Sequence, residues 1–171
     1  MREVWPRFDA GIFLDRGFPY PGELSYGWRN GFIDVQFLTK LIDGLARAEV
    51  PLAPEELEIS LLLSDEVEQI RDLALQLSRF ERADSGEVWQ YYFTVSAANE
   101  ICDPVKKFDV LDSIWADLDY PDGMTRLVYP QEGVPAHLYP ALGEEALSDF
   151  LAGWDGALAQ RDPRDRLLAG A

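Results

Sequence analysis

Residues 104–121, PVKKFDVLDSIWADLDYP, decide the fold class that the sequence predicts. Their apolar side chains recur at helical spacing and would form one buried stripe. The positions of this stripe are Val105, Phe108, Leu111, Ile114 or Trp115, and Leu118. Pro121 is expected to end the helix, because proline lacks a backbone N–H, and a short helix is expected to follow through Val128.

The same periodicity extends outward along the chain. Asp34 can cap a helix whose apolar stripe is Phe37, Leu38, Leu41, Ile42 and Leu45. Residues 88–101 are rich in aromatic and β-branched side chains, which favour a strand, but their length and their helical neighbours favour a helix. We predict a helix there. The sequence therefore predicts a mainly α protein, a single-domain bundle of about six to eight helices.

The boundaries of this bundle follow from composition. Residues 1–22 are rich in proline, glycine and aromatic side chains and are predicted to form an irregular N-terminal arm. Residues 23–161 are predicted to be the helical domain, in which 129–143 form a long loop before the last helix. Residues 162–171 are predicted to be a frayed tail.

A further helix is predicted to begin at Pro54, which suits the first helical position. Glu55 and Glu56 then lie at the positive end of the helix dipole. Three leucines would form the buried face of this helix: Leu57, Leu61 and Leu62.

The charge balance limits the classes of partner. The chain has 31 acidic and 15 basic residues and a net charge of −16, which repels nucleic acid and anionic lipid and favours a basic protein partner.

Cys102 is the single cysteine, so no intramolecular disulfide can form, and we expect a buried structural thiol. The N-terminus lacks a secretory h-region and no long apolar run occurs, so a cytoplasmic location is expected.

Three aspartates surround the end of the helix predicted in residues 104–121: Asp117, Asp119 and Asp122. They resemble the start of a calcium loop, but the third acid falls one place late and Val128 occupies the twelfth position. No glycine-rich phosphate loop is present. A two-carboxylate hydrolase that uses these acids stays open as an alternative. We predict no catalytic residue, metal ligand or cofactor.

Negative charge at the C-terminal end of a helix opposes the helix dipole, and a local rule broken in this way often marks a functional surface. We therefore predict that this region binds a partner. The predicted interface residues are Asp109, Asp112, Asp117, Asp119, Tyr120 and Asp122. A structural explanation stays open beside this one, in which Asp119 and Asp122 only cap the turn and the next helix.

Two stretches resemble an uncharacterised bacterial family, a domain of unknown function: ELSYGWRNGFID at 23–34, and DPVKKFDVLDSIWADLDYPDGM at 103–124 preceded by VWQYYF. The similarity covers residues 24–130. Families of this kind are similar to immunity proteins of polymorphic-toxin systems. The resemblance therefore implies a small cytoplasmic inhibitor of a cognate toxin, which we expect to be basic and of the nuclease type. A metal-assisted hydrolase and a housekeeping adaptor are the alternatives.

Overall fold

The computed structural model describes residues 8–63 and 65–168. Nine α-helices and two 3₁₀ helices lie in these residues, with no strand among them, and eight of the α-helices have seven residues or more. The α-helices are α1 (Ala10–Asp15), α2 (Pro21–Arg29), α3 (Val35–Arg47), α4 (Pro54–Leu61), α5 (Val67–Gln76), α6 (Glu87–Glu100), α7 (Pro104–Asp117), α8 (Asp122–Val128) and α9 (Pro140–Ala159). The 3₁₀ helices are Leu77–Phe80 and Pro163–Leu167. The predicted mainly α, single-domain class is confirmed.

The helices belong to two compact units. One unit contains residues 10–88 and 158–168, and the other contains residues 8–9 and 89–157. In the first unit α3 packs against α1 and α4, and α2 packs against α5 and the 3₁₀ helix Leu77–Phe80. In the second unit α7 packs against α8. Among the described residues, no helix has both the length and the apolar character needed to cross a bilayer.

Helix α3 follows the sequence prediction closely. The Asp34 carboxylate accepts a hydrogen bond from the Phe37 backbone N–H at 2.8 Å, which satisfies one of the free donors at the helix start. The buried side chains of α3 are Leu38, Leu41, Ile42 and Leu45. The segment predicted as an irregular arm also contains a helix, α1, because burial of Phe13 ties it to the first unit. Residues 1–7 lie outside the described residues.

Two ion pairs with buried glutamates hold the C-terminal segment in the first unit. Glu23 and Glu56 each occupy the third position of a helix that starts with proline, and each accepts the backbone N–H of the residue before that proline. Arg161 binds Glu23 at 2.6 Å, and Arg166 binds Glu56 at 2.7 Å with both side chains fully buried. A buried arginine needs a carboxylate partner, and Arg166 finds one in Glu56. Residues 162–168, the described part of the tail that was predicted to fray, are therefore held in place.

Helix α4 differs from its prediction in the face that it buries. Leu57 is 55% exposed and Leu61 is 78% exposed, whereas Glu55 and Glu56 are buried, and Leu62 is only partly covered. The predicted buried face of leucines is therefore wrong. A carboxylate can be buried when it is paired, and the arginine partners of the two glutamates turn this face of α4 inward.

Helix α6 confirms the prediction of a helix over residues 88–101. Its aromatic composition looked strand-like because most of the helix is buried, including Trp89, Tyr92 and Phe93. The Tyr91 hydroxyl donates to the Asp155 carboxylate at 2.6 Å and so links α6 to α9.

The last helix starts at Pro140, three residues before the predicted end of the loop 129–143. Cys102 is exposed, so the expectation of a buried thiol is wrong: it lies in the turn between α6 and α7.

Candidate functional site

Helix α7 carries the predicted interface. Asp103 caps its start by accepting the Lys106 backbone N–H at 2.8 Å, and Pro104 occupies the first position. The buried face of α7 consists of Phe108, Val110, Leu111 and Ile114. Val105, predicted to belong to the buried stripe, is 47% exposed. Because this face is buried, the opposite face of α7, which carries the aspartates, is turned toward solvent.

The C-terminal end of α7 is a Schellman motif. The Asp119 N–H donates to the Ala116 carbonyl at 3.1 Å, and the Tyr120 N–H donates to the Trp115 carbonyl at 2.9 Å. Asp119 and Tyr120 have φ values of 62° and 57°, in the left-handed region where glycine is favoured. Two consecutive side-chain-bearing residues in this region cost stability, on the order of 1 kcal/mol each. The sequence therefore keeps two unfavourable residues at this turn.

Tyr120 is fixed by its aromatic neighbours. Its ring meets the Trp115 ring edge to face, with centroids 4.9 Å apart, and Tyr129 packs on Trp115 at 5.6 Å. The Trp115 indole N–H donates to the Pro121 carbonyl at 3.2 Å, which ties the ring to the turn. Tyr120 nevertheless remains 57% exposed. The end of α7 thus presents a positioned aromatic ring to solvent.

The six predicted interface residues fall into two groups. Asp117, Asp119, Tyr120 and Asp122 are exposed and lie together around the turn from α7 to α8. Asp122 is the first residue of α8, where a negative charge is favourable, but the N-cap of α8 is Pro121 and no side chain caps the helix start with a hydrogen bond.

The second group lies further back on α7. Asp109 is exposed and Asp112 is half-buried. Asp109 is about 12 Å along the helix axis from Asp117. The Asp109 carboxylate lies 3.8 Å from His137 Nδ1, and the His137 side chain is 33% exposed. These two aspartates extend the negative surface along α7 without joining the group at the turn.

A metal ion is commonly held by several side chains that converge on one point. Within 8–63 and 65–168, no group of three or more His, Cys, Asp or Glu side chains is placed to hold a metal ion.

A cleft beside the turn was not predicted from the sequence. It has a volume of about 230 Å³ and is lined by Gly123, Arg126, Leu127, Ala146, Asp149 and Phe150. These residues come from α8 and α9, so only the packing of the two helices brings them together. The cleft is smaller than a typical small-molecule site of about 300–1,000 Å³.

Replacement of Asp119 with glycine should raise the free energy of unfolding by about 0.5–1 kcal/mol, because glycine adopts the left-handed conformation without strain. Urea denaturation measures the change. Asp117→Gly is the matched control: Asp117 is the last residue of α7 and does not have a positive φ, so glycine relieves no strain there and should not raise stability. A destabilised Asp119→Gly protein would show that the Asp119 carboxylate itself stabilises the turn.

A family model described as "uncharacterized protein conserved in bacteria" (DUF2247) matches residues 13–156. This range covers all six predicted interface residues and includes the region of the resemblance seen in the sequence. Neither the curated proteins nor the solved structures gave a match to the chain. Since the family model covers most of the 171 residues, the chain belongs to the DUF2247 family of uncharacterised bacterial proteins.

Proposed function

We propose that the chain is a cytoplasmic immunity protein that binds and neutralises a cognate bacterial toxin, a basic effector of the nuclease type. The observation that carries the proposal is the exposed Tyr120 ring, held on Trp115 and surrounded by aspartates. Tyrosine is enriched among the residues that dominate the free energy of binding at protein interfaces. A ring that is already positioned loses little conformational entropy when it is buried by a partner.

Electrostatics supports the choice of a basic partner. The net charge of −16 attracts a positively charged protein, and the aspartates of α7 concentrate negative charge beside Tyr120. A nuclease binds a polyanion with a basic surface, which an acidic protein can cover in the same way. Such an inhibitor acts by occupying the nucleic-acid site and needs no chemistry of its own.

Growth rescue tests the proposal. The toxin domain encoded next to this chain would be expressed in bacteria with and without the chain, and we expect growth only when the two are expressed together. Purified toxin and chain should form a complex in calorimetry. Absence of both rescue and binding would contradict the proposal.

Tyr120→Ala should weaken this complex by at least about tenfold, because it removes the aromatic anchor. Tyr139→Ala is the matched control, since Tyr139 is 59% exposed and Tyr120 is 57% exposed. Calorimetry with the purified toxin domain measures both affinities. If the two variants bind equally well, the anchor lies elsewhere on the chain.

A further inference from the structure

Three leucines near the end of α4 are exposed. Leu57, Leu61 and Leu63 have exposed fractions of 55%, 78% and 69%. Leu57 and Leu61 are one helical turn apart and lie on the same face. The Leu63 backbone is held by a reciprocal pair of hydrogen bonds with Glu66, at 2.7 and 3.0 Å. We call these three residues the leucine patch.

The orientation of α4 is set by its buried carboxylates. Glu56 receives two hydrogen bonds from Arg166, and Glu55 pairs with Arg79 at 2.9 Å. Removing either glutamate from its partner would leave a charge without compensation, so α4 cannot readily rotate to bury its leucines instead. These ion pairs therefore keep the leucine patch at the surface.

The surroundings of the leucine patch are acidic. Five exposed acids lie on or beside it along the chain: Glu58, Asp65, Glu66, Glu68 and Asp72. Arg71 is the one basic residue between positions 54 and 76, and it pairs with Glu68 at 3.1 Å. An apolar centre with a charged rim has the composition of a protein-binding surface.

We propose that the leucine patch docks an amphipathic helix of a partner protein, with an apolar stripe against the leucines and Lys or Arg residues along its edges. Leucines one turn apart form a ridge that fits the groove of another helix. The acidic rim complements basic flanks and repels both an anionic membrane and a second copy of this chain. The inference is independent of the toxin proposal, because it concerns α4 and α5 and not α7.

A designed peptide tests the surface. The probe is a fluorescein-labelled Leu–Lys peptide of about 18 residues, long enough to form an amphipathic helix. Anisotropy would measure its binding to the full chain and to the Leu57→Gln/Leu61→Gln variant. We expect the variant to bind at least about tenfold more weakly, because two apolar contacts are lost. Both leucines are exposed, so the melting temperature of the variant should match that of the original chain.

Two controls separate docking from general charge attraction. Leu138→Gln removes an equally exposed leucine, at 63%, from the other unit and should leave the affinity unchanged. A Leu–Glu peptide of the same pattern should not bind. The inference fails if the Leu–Lys peptide binds the double variant as well as the original chain, or if Leu138→Gln weakens binding equally. It also fails if sedimentation shows a dimer of this chain that the double variant abolishes, because the occupant would then be a second copy.

Discussion

Replacement of Arg166 with leucine should lower the free energy of unfolding by about 3–5 kcal/mol, because it leaves a fully buried carboxylate without its partner. Arg166 binds Glu56 at 2.7 and 3.2 Å and donates to the Pro19 carbonyl at 2.8 Å and to the Pro51 carbonyl. The variant loses all of these bonds at once. The C-terminal segment should also detach locally, because Arg166 is its one buried side chain within the 3₁₀ helix.

Urea denaturation at neutral pH measures this loss. Arg164→Leu is the matched control: Arg164 lies two residues away, its side chain is 87% exposed, and its loss should change stability by less than about 0.5 kcal/mol. The double variant Glu56→Leu/Arg166→Leu should recover part of the stability lost in Arg166→Leu, because no unpaired charge remains. An Arg166→Leu protein as stable as Arg164→Leu would mean that the pair does not hold the segment.

The sequence predictions succeeded where the interactions that form an element join residues close together along the chain. Helices α3 and α7 were predicted from apolar spacing, and α3 also from its capping residue Asp34, and these are signals within a few residues of one another. The face of α4 could not be predicted in this way. Its orientation depends on a contact between Glu56 and Arg166, which are 110 residues apart, and periodicity treats a glutamate as a surface residue.

In the candidate site, too, the features set by local sequence were predicted and the others were not. The helix end near Pro121 and the exposed acids follow from local sequence. The left-handed conformation of Asp119 and Tyr120 does not, because glycine or asparagine is the usual signal for that position. The cleft between α8 and α9 was missed because its residues are brought together only by tertiary packing.

Charge reversal at the turn should slow the encounter with the toxin. We expect Asp119→Lys/Asp122→Lys to lower the association rate constant by at least about tenfold at low salt, because steering depends on charges beside the contact surface. Both positions are exposed, so the fold should persist. Stopped-flow measurements at increasing salt concentration would follow the rate. The loss should shrink as salt screens the interaction.

The matched control must change the net charge equally while leaving the turn intact. Asp15→Lys/Asp43→Lys does this, because both aspartates are exposed and lie on α1 and α3 of the other unit. This control should slow association by no more than about threefold, since it changes the net charge by the same amount but leaves the aspartates beside Tyr120 in place. Equal slowing in the two double variants would assign the effect to the net charge of −16 and remove the aspartates of the turn from the interface. A tenfold loss only in Asp119→Lys/Asp122→Lys, with Tyr120→Ala mainly raising the dissociation rate, would place steering and anchoring at the same end of α7.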